Sequence, residues 1–146
     1  MGFQEELEKT LEAALQEKRE EHEAVQSFDR EWQKLRESRV LPLLQEAAHA
    51  FGKKLNGGRA GFSNGSAVLG ANWENREHSL TFRPDKKDQM VICSSTFQDD
   101  PEESFTLDAL DEQAIKNKVE AFGYRIITGK RREPESVYEK RGLLVL

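Results

Sequence analysis

The chain has 146 residues, 36% of them hydrophobic and 34% charged, which suits one domain with a modest core and a heavily charged surface. A net charge of −5 excludes broad contact with a nucleic-acid backbone, which needs clustered Lys and Arg. A single cysteine leaves no intrachain disulfide and no Cys-rich metal framework, and no apolar run is long enough to span a bilayer.

From Phe3 to about Arg39 there is no Gly or Pro, only a dense mixture rich in Glu, Gln, Lys, Arg, Leu and Ala. These residues lose little rotamer freedom in a helix, so the spacing predicts a helical arm over about residues 3–39. Leu7, Leu11, Ala14, Val25, Phe28, Trp32 and Leu35 fall in one heptad phase, interrupted where Lys18 and Glu21 occupy the seam. Two apolar stretches result, a distal one over Phe3, Leu7, Leu11, Ala14 and Leu15 and a proximal one over Val25, Phe28, Trp32 and Leu35. Between them the waist from Glu17 to Glu23 is polar all round, so it must bridge solvent or rest on charge pairs such as Arg19 with Glu23. A straight helix of this length spans roughly 50 Å, against roughly 40 Å for the whole folded domain. It would carry Leu7, Leu11 and Leu15 beyond the reach of their own core, which marks them as candidate interaction residues. The competing outcome is a bend at the waist.

Pro42 removes an amide donor and disfavours helical geometry at Leu41, which predicts a break or kink near Val40-Leu41. Leu44, Ala47, Ala48, Phe51 and Leu55 then form the stripe of a second helix, ended by Asn56-Gly57-Gly58. From Arg59 onward turns and alternation predict a four-stranded antiparallel meander. Ala67, Leu69, Ala71 and Trp73 line its first strand, and Leu80 and Phe82 its second, which should stop at Pro84. The third covers Gln89 to Gln98 and the fourth holds Phe105 and Leu107. Apolar residues on both faces near Met90-Val91-Ile92-Cys93 predict helices on both sides of the sheet. A last helix, capped by Asp108 or Asp111, should pack Leu110, Ile115, Val119, Phe122 and Ile126 on the sheet and stop at Gly129. The fold class is thus α+β, a single domain over residues 1–129 with an N-terminal helical arm, followed by a tail over 130–146.

Candidate chemistry is sparse. Glu46 and His49 form one E-x-x-H pair, but a helical di-iron site needs two pairs and two further glutamates, and Arg19 stands where His22 would need its Glu. His49 therefore reads as a packed or solvent-facing histidine. A symmetric loop around Lys86 pairs His78 with Ser94 and sets Cys93 on the opposite face; a shift of one residue would reverse this, and Cys93 reads as a small core residue. Gly57, Gly58, Gly61 and Gly65 lack the Lys-Ser/Thr ending of a phosphate loop and lead into a strand. Trp32 and Trp73 sit at periodic core positions. The basic groups Lys53-Lys54 with Arg59, Lys86-Lys87 and Lys130-Arg131-Arg132 read as helix ends and turn tips.

No catalytic, cofactor-binding or metal residue is assigned. The N-terminus is too charged for a secretory signal, Glu6 stands where a myristoylation motif wants Ser or Thr, and Asn64-Gly65-Ser66 reads as a turn. The expectation is a cytoplasmic, non-enzymatic interaction or adaptor module that presents its amphipathic helix to a protein partner, most simply a second copy, with neither nucleic acid nor membrane as partner. The alternative is a small-molecule-binding or enzymatic domain with a pocket between helices and sheet.

Overall fold

In a computed structural model, which describes residues 2–132, the chain opens with one unbroken α-helix, α1, Phe3–Leu35. Its 33 residues pass through the charged waist without a break, because nothing there removes a donor or inserts into the ladder. Of the break or kink expected near Val40-Leu41, no break occurs. Instead Arg36–Val40 form a π-helical turn in which the amide of Leu41 bonds the carbonyl of Arg36, five residues back. Leu41 keeps helical angles (φ −59°, ψ −44°), and α2, Leu41–Lys54, carries Pro42 in its first turn. Widening the ladder here takes up the clash that a proline ring would otherwise make with the preceding turn.

The sheet has five strands rather than four, all antiparallel in sequence order: β1 Gly57–Ser63, β2 Ser66–Trp73, β3 Arg76–Asp85, β4 Met90–Ser95 and β5 Glu103–Phe105. Asn64 and Gly65 both adopt positive φ (50° and 83°), a two-residue turn whose twist matches the β1–β2 hairpin. Glu74 and Asn75 do the same for β2–β3, at 51° and 64°. Pro84 does not end β3; it lies opposite Val91 within the β3–β4 ladder.

Ala67, Leu69, Ala71, Leu80, Phe82, Val91 and Cys93 share one face of this sheet and are buried. Both α2 and α3, Glu112–Thr128, cover that same face. Gly58 marks how closely α2 lies on β1, since a Cβ there would fall 2.4 Å from the Ala48 carbonyl oxygen. Asp111 caps α3 by accepting the Ala114 amide at 2.8 Å, and Gly129 ends it with φ 73°. From α3, Ile115, Phe122 and Ile126 enter the core with Leu110 just before it. Among the described residues no helix covers the other face, so the expectation of helices on both sides is corrected. Met90 and Ile92 lie half-buried on that open face beside their strand neighbours. Residues 133–146, most of the expected tail, lie outside the described residues.

The proximal part of α1 closes the end of the core. Phe28 and Trp32 are buried, and Trp32 Nε1 donates to the Gly65 carbonyl at 2.9 Å. Arg36 donates to the same carbonyl at 2.8 Å and lies over the Phe62 ring. Lys86, at the β3–β4 turn, pairs with Asp29 at 3.4 Å. Two hairpin tips thus hold one stretch of α1.

Candidate functional site

Every residue of α1 from Phe3 to Glu23 is exposed, and Ala24 is the first to be partly covered by the body. Phe3, Leu7, Leu11 and Leu15 are 77%, 43%, 52% and 57% exposed on this stretch. Successive members are four residues apart, so each turns about 40° from the last and the four form one ridge along a helix face. The three candidate leucines are thereby brought together on one surface. The proximal residues Phe28 and Trp32 are withdrawn into the core. Arg19 and Glu23 form no ion pair among the described residues; the polar waist instead carries a hydrogen bond from Gln16 to Glu20 at 3.2 Å.

A second feature, which sequence reading did not locate, is a cleft of about 240 Å³ between α3 and the strands β3 and β4. Leu80, Cys93 and Phe122 floor it, and Lys118, Arg125 and Arg131 stand at its rim. Its cations are already engaged. Asp100 accepts from Arg125 at 3.3 Å and from Arg131 at 3.0 Å, and Lys118 pairs with Glu103. Positive rim charge is therefore answered from within the fold. The signal that could have shown the cleft is the spacing of Lys118 and Arg125 beside the apolar stripe of α3.

The one thiol that lines the cleft, Cys93, is buried. Burial pushes the Cys93 thiol up to about 12, against a weaker downward pull from the Lys118 charge. At neutral pH it holds its proton. The register is also not the symmetric one: Phe82 lies opposite Cys93 and Leu80 opposite Ser95. This three-residue shift puts His78 on the same face as Cys93, contrary to expectation, because the β3–β4 turn runs longer on the β4 side. The two remain roughly 13 Å apart along the strands, four positions out of register. His78 stacks on Phe97 instead, with ring centroids 4.7 Å apart.

His49 and Glu46 are exposed on α2, and no cluster of three metal-ligating side chains occurs among the described residues. Gly57, Gly58 and Gly61 belong to β1 and Gly65 to its turn, so no phosphate-cradling loop forms. Trp73 packs against the core and Trp32 within it. No helix among the described residues is long and apolar enough to cross a membrane. Comparison with known proteins gives no family model that matches the chain and no significant match among curated proteins or solved structures.

Proposed function

We propose that this protein is a non-enzymatic interaction or adaptor module of the cytoplasm that presents the distal half of α1 to a protein partner, most simply a second copy of itself. The observation that carries the reading is the exposed stretch from Phe3 to Glu23, with four large apolar side chains on one ridge. Burying one leucine fully is worth roughly 1.5–3 kcal/mol, so an unpartnered ridge of four such residues forgoes several kcal/mol. It would also expose a contiguous apolar strip of the kind that marks an interaction site. The small-molecule reading rests on the cleft under α3, and there the one thiol stays protonated and the rim charges are internally paired. The arm is the better-supported site.

Replacing Leu7 and Leu11 together by Glu tests the proposal. Light scattering should report a dimer for the parent and monomer mass for the double variant, with unchanged sheet and helix signals below the waist. A parent already monomeric at high micromolar concentration would remove the self-association.

A further inference from the structure

We infer that the outer edge of β1 takes an extended segment of a protein partner as a further strand, one that carries acidic residues at the end beside Gly57. This surface is separate from the helical arm, and the inference does not rest on the arm's self-association. β1 stands at one edge of the sheet, paired to β2 on one side and to no strand on the other among the described residues. Its two-residue turn makes Ser63 and Ser66 a hydrogen-bonded pair, and the antiparallel ladder alternates from there. Ser63, Gly61 and Arg59 therefore direct their amides and carbonyls to β2, whereas Phe62, Ala60 and Gly58 turn theirs outward. No hydrogen bond to another element takes up those outward groups among the described residues. Gly58 is exposed even though α2 lies directly on the face of the strand there, so the edge itself is open.

Exposed edges are normally blunted by shortness, charge, proline or a bulge. The opposite edge follows that rule, since β5 has three residues. β1 has seven, with neither Pro nor Lys among them. Its one charged residue does not guard the edge. Arg59 lies inward across Gly70, where a Cβ would fall 3.1 Å from its side chain, and pairs with Glu77 on β3. What stands beside the edge is positive. Lys53 and Lys54 close α2, and Lys54 is within about 10 Å of chain from Gly57. Both are exposed and form no ion pair among the described residues. Carboxylates on an added strand that runs past Gly57 would answer them. A second β1 would not, because Gly57–Ser63 contains no acidic residue. Backbone pairing supplies the attachment and the lysines select the partner's charge. Antiparallel addition, the arrangement of every other pair in this sheet, puts the acidic residues at the C-terminal end of the added segment.

An acetylated peptide as long as β1, alternating Thr and Val and ending in Glu-Glu, is the probe, read by the amide chemical shifts of the full-length protein. Shifts should concentrate at Gly58, Ala60 and Phe62. Methylating the alternate peptide amides that face β1 should abolish them, whereas methylating the other set should leave them. Ala60→Pro removes one outward donor without touching the β2 ladder, so it should lose binding while the β2 amide signals stay in place. Lys53→Glu with Lys54→Glu should weaken binding roughly tenfold. No shifts along β1 at millimolar peptide would overturn the proposal, and so would equal binding of a peptide ending in Lys-Lys. If Leu7→Glu with Leu11→Glu leaves a dimer that Ala60→Pro then splits, a second copy holds the edge and the acidic partner is overturned.

Discussion

His78 lies flat against Phe97 with its ring plane 14° from parallel, and Arg76 stands two residues before it on the same strand face. Burial first, and the Arg76 charge second, hold its pKa below the ordinary value of 6.5. Between that lowered value and 6.5 the unfolded chain binds more protons than the folded one. Stability should therefore be full above the ordinary histidine value, fall as the pH drops through it, and level off below the folded-state value. Thermal melts from pH 8 to pH 5 should show a loss in the parent that is smaller in His78→Gln. An equal loss in both would mean other groups set the acid limb. The same residue shows where sequence reasoning stops: the apolar pattern puts Cys93 in the core, whereas its partner on β3 depends on turn geometry, which a symmetric loop misjudges by three positions.

Among the elements, α1, α2, α3 and four of the strands are legible because their apolar signals are periodic, and α3 is capped by Asp111 as well. The strand β1 is not, since three of its seven residues are glycine, which lowers strand propensity. The glycine at 58 is there because α2 lies directly on that strand, a tertiary reason invisible locally. The signal that could have found it is Asn64-Gly65: a two-residue hairpin turn needs a strand on each side, and Ala60 and Phe62 supply the alternation. The π turn was hidden for a related reason, because local rules at Pro42 predict a break while packing of Val40 and Leu44 keeps the chain helical. The docking of α3 was legible and carries a firm expectation. Phe122 is buried with its ring 6.1 Å from Phe51 and 6.3 Å from Phe97, and Gly123 beside it leaves room for Phe51. Phe122→Ala should cost about 3–5 kcal/mol, a large share of the roughly 5–15 kcal/mol that holds a domain together. Urea unfolding should show the midpoint falling with an unchanged slope. A midpoint equal to the parent's would mean that α3 contributes little to the core.

Over the whole molecule the charge is unevenly spread. From Phe3 to Glu23 eight glutamates stand against three basic residues, which accounts for the entire net charge of −5 and leaves the rest of the chain neutral in sum. Two arms brought together therefore repel at long range, and the apolar ridge must supply the attraction. Salt separates these contributions. Raising it from about 0.1 M to about 1 M shortens the Debye length from about 10 Å to about 3 Å, which removes the long-range repulsion and leaves the leucine contacts intact. Self-association should accordingly tighten with added salt, read as a lower dimer dissociation constant by sedimentation equilibrium. A partner that recognised the arm through basic side chains would show the opposite sign, because screening would weaken the attraction that brings it in. Weakening with salt would therefore count against a second copy as occupant and for a basic, apolar-faced partner on the same ridge.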